Sequence, residues 1–559
     1  MAVEGRDQSY THLLVVFVLH FTRDTGSIAS KLISKSDQRV SPKKYQPIDC
    51  LINEEFEIQC LRSATEDSVY IPFAFLHKYF EINGKIVDSK DGQQVFEWSH
   101  SYSRVYFPKH TYHENEAFLW FDNYNVEVRD RVRCVSAITG VPISSQWQSS
   151  GHSYAIQIAQ FGLSHFSKHL SAGKPRVVAL DSGDTLNRRT ATYVVPEDAV
   201  LKRIESDDRP QHKVISVDGL NIIMNIKRKS VNDLTLSFDV KPLANFSLTA
   251  VLKAYSSSSS KEFSIVYTTS ELDIWISNNE IIYGMGTQQK WKSLTRDLGV
   301  DLQKGLNIKE KKLGAKARNM QLIRLEMNGK ALLANIRLQS SAHETYAKTA
   351  GDWFVANQES NGGFSINVNR KLSNGALQLK SGWYSAMAQG QAISLLIRLY
   401  THTRNHKYLI CAKNALNLFD IDSKDNGIRT KFMDKYVWFE EYPTTPSTYV
   451  LNGFIYSLFG LYDLSVSGND SYCVKAGLLY RQGVESLEQM LPLFDSGSGS
   501  LYDLRHLGLG SAPNRARWDY HSTHINQLLF LNTIENKLIF QTTAKRWISY
   551  MKGYRAPHN

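Results

Sequence analysis

The sequence predicts a multidomain α and β protein with an N-terminal β-hairpin region, a central antiparallel β-sandwich or barrel, and a C-terminal incomplete α/α barrel. Three observations support this fold class. The chain has 559 residues, whereas single domains usually hold about 50 to 250. Hydrophobic residues make up 42% and charged residues 21%, as in folded globular proteins. Apolar residues recur with a period of two between about residues 177 and 338, and at helical spacing after about residue 341.

We predict four segments in the chain: residues 1–66, 67–150, 151–340 and 341–559. The first is a hydrophobic and stem segment. Its apolar run LLVVFVLHF, Leu13 to Phe21, is shorter than the roughly 20 residues of a membrane-spanning helix. A weak signal sequence and an ordinary buried strand both remain open for this run. Of the five scattered cysteines, Cys50 and Cys60 are the most plausible disulfide pair, and no zinc spacing is present.

The second and third segments are predicted to be rich in strands. Short aromatic runs, SRVYFP at 103–108 and AFLWF at 117–121, indicate strands and hairpins in the second segment. The third begins with an amphipathic helix, HSYAIQIAQFGLSHFSKHL at 152–170. It continues with LTLSFDV at 234–240 and EFSIVY at 262–267, whose alternate residues are apolar. The basic stretch from Lys304 to Arg318 is predicted to be a solvated loop, with polyanion steering as the alternative.

The fourth segment is predicted to be an array of helical hairpins that closes into the α/α barrel. Its three longest helical patterns are GWYSAMAQGQAISLLIRLY at 382–400, PSTYVLNGFIYSLFGLYDL at 446–464 and KAGLLYRQGVESLEQMLPLF at 475–494. The whole chain carries a net charge of +11, which favours a polyanionic partner. Charge alone leaves nucleic acid, anionic membrane and sulfated polysaccharide open.

Three loop-like stretches of the fourth segment concentrate ionisable and phenolic side chains. They are FEEYPTTPS at 439–447, SGSGSLYDLRH at 496–506 and APNRARWDYHSTHINQ at 512–527. The sequence contains neither a GxSxG elbow nor a phosphate-binding loop. His521 and His524, with Asp519, are considered as zinc ligands, against the alternative of hydrogen-bonded histidines that hold a loop.

Once these motifs are excluded, the residues of the three stretches favour general acid and base catalysis by Glu and Tyr beside Arg. A proton on the carbon next to a carboxylate is very weakly acidic, so its removal needs a positioned base and a cation that neutralises the enediolate. Arg can bind the carboxylate with two hydrogen bonds, and we expect its charge to lower the pKa of a nearby tyrosine. If two such groups flank the carbon, one removes the proton and the other returns it on the opposite face, which is epimerisation.

Eight stretches of the sequence closely resemble the D-glucuronyl C5-epimerase family of heparan sulfate and heparin biosynthesis. They are YNVEVRDRVRCVS, VPISSQW, QIAQFGLSH, GWYSAMAQGQA, FEEYPTTPS, VLNGFIYSLFGLYDL, SGSGSLYDLRH and APNRARWDYHSTHINQL. The resemblance runs from about Tyr124 to Asn559 and implies the same three-part fold. It also implies conversion of D-glucuronic acid to L-iduronic acid within N-sulfated heparosan, with no cofactor required for the chemistry.

The resemblance assigns site residues by motif. Glu441 and Tyr520 are the expected opposite-face pair, Tyr442 and Tyr502 assist the proton relay, and Arg505 binds the substrate carboxylate. Substrate contacts are implied for Tyr124, Arg129, Arg131, Gln146, Tyr154, Gln157, Lys371, Asn452, Tyr456, Asn514, Arg515, Arg517, Trp518 and His521. Arg129 and Arg131 are expected to share one face of a strand. Tyr154 and Tyr456 are as readily explained as core residues.

The resemblance also implies properties beyond the reaction. A structural calcium ion is expected near Ser182 and Asp184, although Ala334 stands where relatives carry an acid. The family is a type II membrane protein of the Golgi lumen, but the anchor offered by Leu13 to Phe21 is weak. A homodimer and association with heparan sulfate-modifying sulfotransferases are expected, and no nucleic acid is. The alternatives are a polysaccharide lyase, a glycoside hydrolase that pairs Glu441 with Asp519, and a non-catalytic heparan-binding module.

Overall fold

The computed structural model describes residues 45–52, 56–64, 68–80, 83–89, 91–99, 104–209, 211–227, 229–255, 260–278, 280–308 and 319–557. The apolar run from Leu13 to Phe21 and residues 309–318 of the basic stretch lie outside the described residues. None of the helices in the described part has the length and hydropathy of a membrane span. The chain divides into two compact units, Met1–Arg104 and Val105–Asn559, and the boundary falls inside the predicted segment 67–150.

The first unit contains two small antiparallel sheets. Its elements are β1 (Tyr45–Ile52), β2 (Phe56–Ser63), β3 (Val69–Tyr70), α1 (Phe73–Phe80), β4 (Asn83–Asp88) and β5 (Gln94–Ser99). Strand β2 lies between β1 and β3, and β4 pairs with β5. A disulfide joins Cys50 of β1 to Cys60 of β2, as predicted. The prediction of a stem up to residue 66 is wrong for β1 and β2, because backbone pairing along this crosslinked hairpin orders a polar segment.

The second unit begins with turns where strands were predicted. Neither AFLWF nor residues 104–108, the described part of SRVYFP, forms a strand, and Phe121–Asn123 forms one turn of 3₁₀-helix. Phe118 and Phe121 are fully buried, and their ring centroids lie 6.1 and 5.9 Å from that of Tyr456. The aromatic side chains therefore fill the helical core, whereas the sequence pattern suggested a sheet face. A small sheet follows, with β6 (Val132–Val135), β7 (Pro142–Ser144) and β8 (His152–Ser153).

A ten-stranded sheet occupies the middle of this unit in the described residues. Its elements and their neighbours are α2 (Ala155–Ser171), β9 (Val177–Asp181), β10 (Ala191–Val194), β11 (Val200–Glu205), β12 (Lys213–Ile226), β13 (Thr235–Tyr255), β14 (Ser260–Thr268), β15 (Trp275–Ser277), β16 (Glu280–Gly284), β17 (Lys292–Asp297), α3 (Leu298–Ile308) and β18 (Asn319–Gln339). The long strands β13 and β18 pair along most of their length. Leu236, Phe238 and Val240 are buried in β13, which confirms the predicted strand, but Thr235 and Ser237 between them are buried too, so both faces are covered at this point. The predicted antiparallel pairing holds for the described strand pairs of this sheet except β14 and β16, which are parallel.

The beginning of the basic stretch is helical and buried. Lys304 lies in α3 with 2% of its surface exposed, and its ammonium group donates to the carbonyl oxygen of Arg129 at 2.6 Å. Burial lowers the pKa of this lysine to about 8. The prediction of a solvated loop is therefore wrong for residues 304–308, because α3 packs against the sheet and draws this side chain inward.

The C-terminal region is predominantly helical. Its elements are α4 (His343–Asn357), β19 (Arg370–Leu372), β20 (Leu377–Leu379), α5 (Ala386–Thr403), α6 (His406–Ala415), β21 (Arg429–Phe432), β22 (Tyr436–Phe439), α7 (Leu451–Val466), α8 (Ser471–Met490), α9 (Arg505–Leu509), α10 (Trp518–Glu535) and α11 (Leu538–Met551). Helices α5, α7 and α8 confirm the three predicted helical patterns. Helix α2 also belongs to this region, since it packs against α4 and α5. It is buried on every side from Ala155 to Ser167, so the prediction of an amphipathic helix is wrong.

Helices α5 and α7 approach each other closely because glycines face one another. A Cβ atom on Gly390 would lie 2.4 Å from the Cα of Ser457, and one on Gly460 would lie 2.2 Å from the Gly390 carbonyl oxygen. A buried ion pair joins the same helices, with 2.7 Å between the Arg398 guanidinium and the Asp463 carboxylate. These contacts fix the relative position of two helices whose N-terminal ends lie beside the loop that carries Glu441.

Candidate active site

The loop between β22 and α7 carries two adjacent glutamates with separate partners. Glu440 accepts hydrogen bonds from the Tyr449 backbone N–H at 3.1 Å and from the Thr448 hydroxyl at 3.0 Å. Its carboxyl is fully buried, and burial raises its pKa to about 8. Because both bonds close the loop onto itself, Glu440 is a structural residue of the loop.

Glu441 is the buried carboxyl at the centre of the site. Only 4% of its surface is exposed, and burial raises its pKa to about 7. Hydrogen bonds from the Tyr442 and Tyr502 hydroxyls and the charge of Arg370 oppose that rise. A carboxyl that titrates near neutral pH suits proton transfer in either direction.

The first turn of α7 leaves space for the Glu441 side chain. Gly453 has no side chain, and a Cβ atom there would lie 2.4 Å from Glu441 Oε2. The neighbouring Asn452 places its Nδ2 atom 3.5 Å from the same oxygen. The Oδ1 atom of Asn452 is buried and has no hydrogen-bond partner in the described part of the protein.

Five tyrosines share the electrostatic field of Glu441. Their pKa values are all raised, first by burial and then by neighbouring charges that include Glu441; the five are Tyr154, Tyr442, Tyr456, Tyr502 and Tyr520. The rings of Tyr502 and Tyr520 meet edge to face with centroids 4.8 Å apart. The expectation that arginine lowers a tyrosine pKa is therefore wrong in net effect, because burial outweighs the opposing charges of Arg131 and Arg370. The phenols are neutral acids at physiological pH.

Arg505 is held by a buried carboxylate. Its Nε donates to Asp503 at 2.7 Å, its Nη2 also donates to Asp503, and its Nη1 donates to the Ser373 hydroxyl at 2.9 Å. The Asn514 amide donates to the same carboxylate at 2.9 Å. Asp503 is fully buried. Its role is to orient Arg505 and Asn514.

Arg370 is a site residue that the sequence reasoning missed. Its charge lowers the pKa of Glu441 and of Tyr442, and its guanidinium lies 4.4 Å from the centre of the Trp147 ring. Its buried Nε has no hydrogen-bond partner among the described residues. The predicted Lys371 is exposed on the other face of β19, where the strand alternation places it. The sequence did not reveal that β19 pairs with β20, and this pairing decides that Arg370, and not Lys371, faces inward.

The N-terminal side of the site comes from the turn before β6. Arg129 and Arg131 lie in this turn, so the prediction that they share a strand face is wrong. The Arg129 guanidinium stacks 4.1 Å from the ring centre of Tyr124, and its charge acts on Tyr456. The charge of Arg131 acts on Tyr154 and Tyr520. The turn thus places two cations within electrostatic reach of the tyrosines.

Comparison with known proteins identifies the family of this chain. Residues 358–549 match the protein-family model of the D-glucuronyl C5-epimerase C-terminus. Residues 214–330 match the protein-family model of the D-glucuronyl C5-epimerase beta-sandwich domain. The D-glucuronyl C5-epimerase of Caenorhabditis elegans is 36% identical over 577 residues, which cover 94% of this chain and 92% of that protein. The chain belongs to the D-glucuronyl C5-epimerase family.

Two other proteins are similar to only part of this chain. An uncharacterized protein of Methanocaldococcus jannaschii is 32% identical over 172 residues, which cover 30% of this chain and 53% of that protein. A GH78 family rhamnosidase of Bacillus sp. GL1 matches at 9% identity with a TM-score of 0.24, over 64% of this chain and 38% of that one. A TM-score this low supports no conclusion about the fold.

The remaining substrate contacts expected of the epimerase family lie in several environments. Gln157 and Tyr456 are buried, and the Gln157 Oε1 and Tyr456 hydroxyl oxygens have no partner among the described residues. Gln146 and Trp518 are half-buried. Arg515 and Arg517 are exposed, and each has a nearby partner: Ser498 Oγ at 2.6 Å from Arg515, and Asp519 at 3.1 Å from Arg517.

The histidines of the third stretch hold a turn in place. The Nδ1 atoms of His521 and His524 lie 2.9 and 2.8 Å from the Ser500 hydroxyl oxygen. His521 Nε2 lies 3.0 Å from the carbonyl oxygen of Trp547. The alternative of hydrogen-bonded histidines is confirmed in place of zinc ligands with Asp519. A substrate contact through His521 would require one of these bonds to break.

Ser182 and Asp184 do not fit the calcium site that is expected from the family. The Asp184 carboxylate accepts from the Lys213 backbone N–H at 2.7 Å and lies 3.0 Å from His212 Nδ1. The Arg203 guanidinium donates to Asp181 at 2.9 Å and to the Gly183 carbonyl oxygen. Calcium takes about six to eight oxygen ligands, whereas nitrogen donors already cover these oxygens. Ala334 is buried and supplies no side-chain oxygen.

Proposed function

We propose that this protein epimerises C5 of D-glucuronic acid to L-iduronic acid within N-sulfated heparosan, during heparan sulfate and heparin biosynthesis. The single observation that carries this proposal in a chain of this family is the buried Glu441 carboxyl, whose pKa is about 7, among neutral tyrosine hydroxyls. A base that is half ionised near neutral pH and a set of phenolic acids supply both halves of a proton exchange.

The proposed reaction uses Glu441 and Tyr520 on opposite faces of the uronate ring. One group takes the C5 proton, the electron pair passes into the carboxylate to form an enediolate, and the other group returns a proton to C5. Tyr442 and Tyr502 donate hydrogen bonds to Glu441 and relay its proton to solvent. C5–H is the one substrate bond that breaks, and no electron leaves the substrate. When Glu441 takes the proton and Tyr520 gives one, Glu441 is left protonated and Tyr520 is left as a phenolate, and proton exchange with solvent restores both groups.

We propose that Arg505 and Arg370 bind the substrate carboxylate. Arg505 is preoriented by Asp503, and Arg370 has a buried Nε that lacks a partner within the described part. Charge-assisted hydrogen bonds from guanidinium groups stabilise the second negative charge of the enediolate. The exposed Arg515 and Arg517 extend this positive surface toward neighbouring sulfated sugars.

The test is incubation with N-sulfated heparosan in deuterated water, followed by NMR of the uronic acid residues. Wild-type protein is expected to give deuterium at C5 and iduronate signals, and Tyr520→Phe to lose both. An unsaturated product that absorbs in the ultraviolet would identify a lyase, and shortened chains would identify a hydrolase. Binding without deuterium incorporation would leave a heparan-binding module.

Our proposal includes an environment and an assembly. The protein acts in the Golgi lumen as a homodimer, beside heparan sulfate-modifying sulfotransferases, and its helical region closes as an incomplete α/α barrel around the site. Light scattering of the purified chain tests the dimer, and co-precipitation from Golgi membranes tests the sulfotransferases. A monomer at micromolar concentration would contradict the proposed homodimer.

A further inference from the structure

Three helix ends meet at a cluster of two histidines and one glutamate. His169 lies in the last turn of α2, Glu344 in the first turn of α4 and His402 in the last turn of α5. One ligand atom from each side chain lies within 4.8 Å of the other two. His402 Nε2 is 3.1 Å from Glu344 Oε1, and the ring centroids of His169 and His402 are 5.2 Å apart.

We propose that these three side chains bind a Zn²⁺ ion or a similar divalent transition metal. Two imidazoles and one carboxylate form a known zinc ligand set that leaves the fourth tetrahedral position to water. Ligand bonds of about 2.0 to 2.2 Å require ligand atoms about 3.4 Å apart. The Glu344 and His402 atoms are 3.1 Å apart, close to that spacing, and all three ligand atoms lie within 4.8 Å of one another, so the proposed ion requires a modest contraction of the cluster.

The proposed metal is far from the candidate active site. Tyr154 immediately precedes α2, and the backbone N–H of Ala386, at the start of α5, donates to the Glu440 carbonyl oxygen. Both helices therefore begin at the site and end at the metal cluster. A rise of 1.5 Å per residue puts His169 about 20 Å from Tyr154. The ion is thus a clamp for three helix ends and takes no part in proton transfer.

One neighbouring cation competes with the metal. The Lys348 ammonium lies 2.6 Å from Glu344 Oε1, and the side chains of this pair are 40% and 42% exposed. Exposed ion pairs within one helix add little stability in water, so a divalent ion with two imidazole ligands displaces the lysine readily. Removal of Lys348 is therefore expected to strengthen metal binding, which an ordinary ion-pair cluster would not predict.

The test titrates ZnCl₂ into the full-length chain after chelator treatment, with calorimetry and thermal unfolding as readouts. Wild type is expected to bind one ion through this cluster and to gain Tm. His169→Gln and His402→Gln should each weaken binding by at least about tenfold, the lower cost found for losing only a partner that orients a ligand, and Lys348→Gln should tighten it. His406→Gln is the matched control, because that exposed imidazole packs on Tyr400 outside the cluster.

Zinc affinity and Tm gain that are equal in wild type and in a His169→Gln, His402→Gln double variant would overturn the proposal. The absence of any zinc-dependent Tm gain in wild type would overturn it as well. The three residues would then be charges that complement helix dipoles, with Glu at an N-terminus and His at two C-termini. The circular dichroism spectrum of each zinc-free variant checks that folding is retained.

Discussion

The adjacent carboxyls of Glu440 and Glu441 have different hydrogen-bond partners: Glu440 binds its own loop, and Glu441 binds the tyrosines of the candidate active site. Glu440 accepts hydrogen bonds from the backbone N–H of Tyr449 and the hydroxyl of Thr448, both in its own loop. Glu441 accepts hydrogen bonds from the hydroxyls of Tyr442 and Tyr502. Burial raises the pKa values to about 8 and about 7, respectively. The same residue type in consecutive positions therefore provides a matched pair for separating stability from chemistry.

Glu441→Gln is expected to lower kcat by about 10²- to 10⁴-fold, the usual contribution of a general base. The amide preserves the size of the side chain but cannot take a proton from carbon. The rate of deuterium incorporation at C5 measures the effect. Glu440→Gln is the control and is expected to retain most of the rate, so an equal loss in both variants would contradict the separate roles.

The free energy of unfolding is expected to vary less with pH in Glu440→Gln than in the wild type. The wild-type pKa is about 8 in the folded protein against 4.5 for the unperturbed group, so the folded state binds more protons between these values. The free energy of unfolding contributed by this group is therefore greatest below pH 4.5 and is lost as pH rises to about 8. A pKa difference of one between the folded and unfolded states corresponds to about 1.4 kcal/mol.

Urea unfolding at pH 5 and pH 8 tests this stability prediction. The loss of stability between the two pH values is expected to be smaller in Glu440→Gln than in wild type, by roughly a few kcal/mol. The comparison of the two proteins cancels the titration of other groups. An identical loss in both would show that Glu440 is ionised in the folded state.

The activity is expected to decline below pH about 7, because Glu441 must be deprotonated to act as the base. Arg370 lowers the pKa of Glu441 by its charge, so Arg370→Gln should move this acidic limb to higher pH. The profile of kcat/KM against pH measures the midpoint. Lys371→Gln, on the exposed face of the same strand, should leave the midpoint unchanged. A midpoint change of equal size in both variants would assign the effect to net charge alone.

Gly453→Ala is expected to reduce activity more than stability. The added methyl group would meet Glu441 Oε2 at 2.4 Å and Glu441 Cβ at 2.7 Å, so the carboxyl must move. An alanine is otherwise favourable in a helix, by about 1 kcal/mol over glycine. Turnover and Tm, measured together, check the prediction. Gly468→Ala is the control, because its nearest neighbour is a single sulfur atom at 3.4 Å.

The order of the secondary structure in the larger unit follows largely from the sequence alone. The period of two in LTLSFDV marks β13, and the long apolar segments mark α5, α7 and α8. The family motifs also located Glu441, Tyr442, Tyr502 and Tyr520, whose charges and rings interact in the folded protein. These features are local, so a window of a few residues contains the information that specifies them.

Tertiary packing decides which neighbours face the site and how each group titrates. Strand pairing turned Arg370 inward and Lys371 outward, and burial placed the aromatic run at 117–121 in the helical core. Burial in the folded protein is also the reason that the tyrosine pKa values are raised, whereas the sequence led us to expect a lowering. Burial and long-range charge depend on residues that are hundreds of positions apart in sequence, and no local pattern encodes them.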